Sequence, residues 1–107
     1  MINANQIRED LKNIKYYYTH KTVFEEASQQ LGESEVMKKV RIYNDIILSA
    51  PPKFYDLYYS LYMSGHTQES LSAKLCYTRE YIRLLNKEFI EYLLKKLNEK
   101  EEISSAN

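Results

Sequence analysis

The sequence predicts an all-α protein, a helical bundle of about five helices built as one domain, and three observations predict it. Gly and Pro, the residues that interrupt helices, occur only twice each among the 107 residues. Apolar side chains recur at spacings of three and four residues through most of the chain, which is the period of an amphipathic helix. The length suits a single hydrophobic core and is too short for two.

Two helices are predicted before residue 32. The first runs from about Asn5 to His20, because its apolar side chains follow one another at helical spacings: Ile7, Leu11, Ile14 and Tyr18. In the second, Thr22 stands three residues before Glu25, the capping-box spacing that marks the start of a helix. Gly32 is a natural C-terminal stop for this helix.

A third helix is predicted from its N-cap Ser34 to about Ser49, and its apolar stripe has the same spacing: Val36, Val40, Tyr43 and Ile47. Heptad-like helices of this kind pack against each other or against a second copy of the chain, and two heptads leave both arrangements open. Residues 1–50 are therefore predicted to be a helical packing or dimerisation part.

The C-terminal half begins with Pro51 and Pro52, which suit the first turn of a helix because a missing N–H costs little there. The inward face of this helix is predicted to be Phe54, Leu57, Tyr58 and Leu61, with Gly65 at its end. The proline pair marks the start of a second part, residues 51–97.

The segment TQESLSAKLCYTREYIRLLNK, residues 67–87, predicts two short helices joined by a tight turn, with Thr67 and Thr78 as their N-caps. The small Ser72 and Ala73 let a second helix cross the first closely. The second helix carries an inward stripe that reaches about Leu97: Ile82, Leu85, Phe89 and Leu93. Residues 98–107 are expected to form a flexible acidic tail.

A helix-turn-helix of this kind places the first residues of its second helix against base edges in the major groove of DNA. Arginine forks onto guanine and glutamate accepts from cytosine, while hydroxyl groups donate to phosphates. The residues predicted to bind DNA are Thr67, Thr78, Arg79, Glu80, Tyr81, Arg83 and Lys87. The alternative is that these are ordinary solvent-facing side chains, with Arg79 and Arg83 paired to neighbouring acids.

The neutral total charge, 15 basic and 15 acidic side chains, hides an uneven distribution. Residues 65–97 hold six basic and four acidic side chains, whereas the segment from residue 98 onward holds one basic and three acidic. Because phosphate contacts supply most non-specific affinity, a module this weakly basic should bind DNA poorly alone. A homodimer through the N-terminal helices, or a partner such as RNA polymerase, would remedy this.

Residues 50–97, APPKFYDLYYSLYMSGHTQESLSAKLCYTREYIRLLNKEFIEYLLKKL, resemble region 4 of the sigma-70 family. They are more closely similar to small phage-encoded transcription regulators with a region-4-like helix-turn-helix, the ArpU and RinA types. The matching elements are the proline-led helix, the LYM run, the Gly turn and the two short helices. Cys76 stands where the motif commonly has Gly, and Ser72 where it commonly has Ala. A non-Gly residue in a left-handed turn costs about 1 kcal/mol.

The resemblance implies a sequence-specific DNA-binding transcription regulator of phage or prophage origin, with double-stranded DNA and RNA polymerase as its partners. The competing class is a helical adaptor that holds another protein, such as RNA polymerase, without binding DNA itself. The two differ in whether Arg79 and Arg83 are free on an exposed face or paired and covered.

An enzyme is the least favoured class, because neither histidine has a nucleophile or acid at a motif spacing and no Gly-rich phosphate loop occurs. No cofactor or metal site is predicted, since one cysteine and two histidines cannot supply a four-ligand zinc spacing. Cys76 is expected to be a buried, inert turn residue and not a redox switch. The polar N-terminus and the lack of a long apolar run predict a cytoplasmic protein with no membrane segment.

Overall fold

The computed structural model describes residues 2–65 and 67–106, the last six of them by backbone alone. These residues form six α-helices and no strand: α1 (Ala4–Thr19), α2 (Lys21–Leu31), α3 (Glu35–Leu48), α4 (Pro52–Tyr58), α5 (Gln68–Leu75) and α6 (Arg79–Ala106). A π-helical turn (Tyr59–Met63) continues α4. The all-α prediction is confirmed, with six α-helices in place of about five.

A single hydrophobic core joins the N-terminal and C-terminal parts of the chain. Helix α1 lies at its centre, packed against the π turn, α3 and α6. Every helix except α2 contributes side chains to the core, and the largest fully buried ones are Tyr43, Tyr58, Phe89, Ile7, Leu11, Ile14, Leu71, Ile82 and Leu93. The predicted inward faces of α4 and α6 are confirmed, because each of their apolar residues named above is buried.

The predicted capping box at Thr22 and Glu25 is wrong. Helix α2 already begins at Lys21, and His20 precedes it without a side-chain cap. The single residue His20 separates two helices: its N–H donates to the carbonyls of α1, and its own carbonyl accepts from Phe24. The start of α2 is therefore set by the end of α1. By contrast, Ser34 caps α3 as predicted, its hydroxyl oxygen accepting from the N–H of Met37 at 3.2 Å.

A buried carboxylate ties α1 to α3. Asp10 accepts hydrogen bonds from the side chains of Gln6 at 2.9 Å, Lys39 at 2.9 Å and Tyr43 at 2.8 Å. Burial, and then the hydrogen bond to Asp10, raises the pKa of Tyr43 well above its ordinary value. Because a buried carboxylate is costly unless it is paired and hydrogen-bonded, this cluster fixes how α1 and α3 pack.

Helix α6 continues to Ala106, past its expected end near Leu97. The backbone of the predicted tail is therefore helical as far as Ala106, and Asn107 lies outside the described residues. Among the helices described, none is both long and apolar enough to cross a membrane.

Candidate nucleic-acid interface

The connection between α5 and α6 is a tight turn that contains one left-handed residue. Cys76 follows α5 in the left-handed conformation, with φ 58° and ψ 26°. The buried Ser72 donates its hydroxyl hydrogen to the carbonyl of Tyr77 on the far side of the turn. A serine at this position, where the resembled motif commonly has alanine, therefore braces the turn.

Both predicted caps are confirmed. The hydroxyl oxygen of Thr67 accepts from the N–H of Ser70 at 3.0 Å, at the start of α5. The hydroxyl oxygen of Thr78 accepts from the N–H of Tyr81 at 3.0 Å, at the start of α6. Each hydroxyl satisfies one of the free N–H groups of its helix. The contacts of both threonines with phosphates stay predictions.

The first turns of α6 expose the predicted DNA-binding side chains on the side away from the core. Ile82 and Leu85 point inward and are buried. The predicted residues are all exposed, and so is Leu84 among them: Arg79, Glu80, Tyr81, Arg83 and Lys87. The structure therefore brings the predicted base-contacting residues together on one accessible stretch of helix.

Both arginines are paired, yet neither is covered. Arg79 donates to Glu69 of α5 at 3.0 Å, with 74% of its side chain exposed. Arg83 donates twice to Glu80, at 2.5 and 3.1 Å, with 59% of its side chain exposed. These hydrogen bonds hold the pKa of Glu80 below its ordinary value. Neither of the two arrangements expected from the sequence, free or covered, describes the arginines fully.

Lys87 differs from the arginines. Among the described residues, no ion pair or hydrogen bond involves its side chain. It is exposed at the end of the second turn of α6. A cation without a protein partner is available to a phosphate without first leaving an ion pair.

The structure corrects the sequence analysis at one residue, Cys76, and draws attention to another, Leu84. Cys76 is exposed, so the expectation that it is buried is wrong. A residue in the left-handed conformation after a helix turns the chain away from the helix axis, and its side chain meets solvent here. Leu84 is not among the residues predicted to bind DNA, yet it is an exposed apolar side chain in the first turns of α6.

An open, largely apolar groove of about 700 Å³ lies between α4 with its π turn on one side and the pair of α5 and α6 on the other. Its exposed aromatic walls are Tyr55 and Tyr59 on one side, and Tyr77 and Tyr81 on the other, each about half exposed. The rings of Tyr77 and Tyr81 are 4.8 Å apart, centroid to centroid. Tyr81 therefore belongs both to the groove and to the predicted DNA-binding face.

No group of three or more metal-binding side chains occurs among the described residues. The comparisons with known proteins return no matching family model, no matching curated protein and no matching solved structure. The likeness to region 4 of the sigma-70 family consequently depends on the residues quoted from the sequence.

Proposed function

We propose that this protein is a sequence-specific regulator of transcription that binds double-stranded DNA by placing the first turns of α6 in the major groove. One observation carries the proposal: two capped helices meet at a left-handed turn, and the exposed start of the second bears Arg79, Arg83 and Lys87. An α-helix fits the major groove, and residues at the start of such a helix reach the bases.

The ion pairs of the two arginines do not prevent this role. Exposed ion pairs contribute little to stability because water and salt screen them, so little free energy is lost when an arginine leaves Glu69 or Glu80 for a phosphate or a base. The pairs do weaken the attraction of DNA at a distance, because each glutamate cancels a nearby positive charge. We therefore expect low affinity from one copy, and an affinity that falls as the salt concentration rises.

A second copy of the chain would double the DNA contacts, and α2 is the surface that supports one. Val23 and Leu31 on this helix are 64% and 87% exposed, and α2 has no buried residue. With Ala27 between them, they form one stripe at spacings of four residues. In an antiparallel pair of α2 helices, Val23 of one copy faces Leu31 of the other, and the small Ala27 lies at the two-fold axis.

Fluorescence anisotropy with a pool of random DNA duplexes tests the proposal. The wild type should bind at low salt and more weakly at physiological salt, and the Arg79→Ala/Arg83→Ala variant should lose most of this binding. Lys38→Ala/Arg41→Ala is the matched control, since it removes two exposed, ion-paired cations from α3. Equal losses in both variants would mean that binding follows net charge and not the helix-turn-helix.

The second candidate function is a protein-binding adaptor, and the aromatic groove is the observation that favours it. Half-exposed tyrosines along a groove suit an apolar helix of a partner, with RNA polymerase as the candidate. If no duplex binds even at low salt and high protein concentration, and RNA polymerase is retained by wild-type protein but not by Tyr55→Ala/Tyr59→Ala, the adaptor replaces the DNA reader.

A further inference from the structure

Leu84 is placed where folding alone does not require a large apolar side chain. It lies two residues from Ile82, so the two side chains point about 200° apart around α6. Ile82 is fully buried, whereas Leu84 is 45% exposed. The neighbouring Leu85, and not Leu84, is buried in the core. Within the described part of the chain, Leu84 belongs neither to the buried cluster nor to the half-buried side chains packed on it.

The surroundings of Leu84 are charged. Within one turn of it lie the basic Arg83 and Lys87 and the acidic Glu80 and Glu88. Among the described residues, Glu88 is paired with Lys53 of α4 and Glu80 with Arg83, whereas Lys87 has no ion pair. This face therefore has an apolar centre beside an unpaired cation, which complements a polyanion that carries an apolar group in its interior.

The two arginines near Leu84 already have partners within the chain. Both hydrogen bonds of Arg83 go to Glu80, and Arg79 is bound to Glu69. A base edge must compete with these acids for either arginine. Leu84 has no such competitor, because an exposed apolar group gains simply by leaving water.

We propose that Leu84 contacts the C5-methyl group of thymine in the major groove, and so makes thymine the preferred base at that position of the DNA site. This inference rests on the proposed function. Thymine is the base that presents a methyl group in the major groove, and apolar side chains are its ordinary partners. The deep, narrow major groove of double-stranded RNA does not admit the helix, so the polyanion is DNA.

The test begins with selection of the tightest duplexes from a random pool by wild-type protein. Each thymine of a selected duplex is then replaced singly by uracil, which pairs identically and lacks only the methyl group. Dissociation constants are measured at one fixed salt concentration for wild type, Leu84→Ala and Leu48→Ala. The last is the matched control, because Leu48 is an exposed leucine near the end of α3, 76% exposed.

At one or two thymines we expect uracil to weaken wild-type binding roughly fourfold, the effect of hiding one methyl group from water. Leu84→Ala should bind thymine and uracil duplexes equally, and Leu48→Ala should behave as wild type. The uracil scan of wild-type protein alters only the DNA, so it does not depend on the folding of any variant.

Two results would overturn the inference, and they are distinguishable. If wild-type protein selects duplexes but no uracil weakens binding, or Leu84→Ala keeps the full uracil penalty, Leu84 is not the thymine reader and DNA binding itself stands. If wild-type protein binds no duplex at low salt, the proposed function fails and the role of Leu84 fails with it.

Discussion

Replacing Cys76 by glycine tests the left-handed turn between α5 and α6, on which the proposed function depends. Cys76 has φ 58°, the one positive φ of a non-glycine residue within the described chain. Its Cβ is strained in that conformation by roughly 1–2 kcal/mol. Its side chain is exposed, so the substitution removes no buried packing.

The expected gain is the relief of strain less the entropy that glycine adds to the unfolded chain. That entropy term is about 0.4–1 kcal/mol. Cys76→Gly should therefore raise the free energy of unfolding by roughly 0.5–1 kcal/mol. Cys76→Ala keeps the Cβ and the strain, so it should leave the stability within about 0.5 kcal/mol of wild type.

Gly65→Ala is the converse substitution and serves as the control. Gly65 has φ 78°, and a Cβ built on it would meet no atom within 4 Å, so Gly65→Ala adds backbone strain without a clash. It should lower the free energy of unfolding by roughly the amount that Cys76→Gly raises it. Urea denaturation followed by the helical circular-dichroism signal measures all three variants. A Cys76→Gly protein no more stable than Cys76→Ala would refute the left-handed turn.

Two further predictions concern the core. Asp10→Ala and Tyr43→Phe should each destabilise the protein, because the two side chains share a 2.8 Å hydrogen bond. A double-mutant cycle measured by urea denaturation should give a coupling free energy of about 1.5–3 kcal/mol. Additive effects of the two substitutions would contradict the shared hydrogen bond. Partial burial raises the pKa of Tyr62 from 10.0 to about 12, so the neutral phenol is favoured by folding. The contribution of the neutral phenol to stability should be complete below pH 10 and lost as the pH rises through about 12. In Tyr62→Phe, the melting temperature should therefore fall less steeply with pH across this range than in wild type. An unchanged alkaline profile in Tyr62→Phe would contradict the role of this phenol.

The regular parts of the fold followed from helical periodicity. Ile82, Phe89 and Leu93 repeat at helical spacings and are all buried. The threonine caps were predictable because a cap depends only on residues three positions away. These features are local, so one stretch of sequence contains all the information they need.

Features that depend on tertiary placement were not predictable in this way. The partner of Arg79 is Glu69, ten residues away on another helix, and only the crossing of α5 and α6 brings them together. In the sequence, Asp10 has the pattern of a solvent-facing acid. It is buried only because Tyr43 and Lys39 of α3 pack over it in the folded chain. Tyr17 falls off the predicted stripe of α1 and is nonetheless buried, because Phe24 of α2 lies 5.4 Å from its ring.

The central claim, that the start of α6 holds DNA through its cations, is tested most directly by the salt dependence of binding. The dissociation constant of one selected duplex is measured over a range of salt concentrations for wild type and for Arg79→Ala/Arg83→Ala. The plot of log affinity against log salt should be linear, and its slope should fall by nearly two in the variant, about 0.9 for each cation lost at the DNA. An unchanged slope, or no measurable binding by wild type at any salt concentration, would contradict the claim.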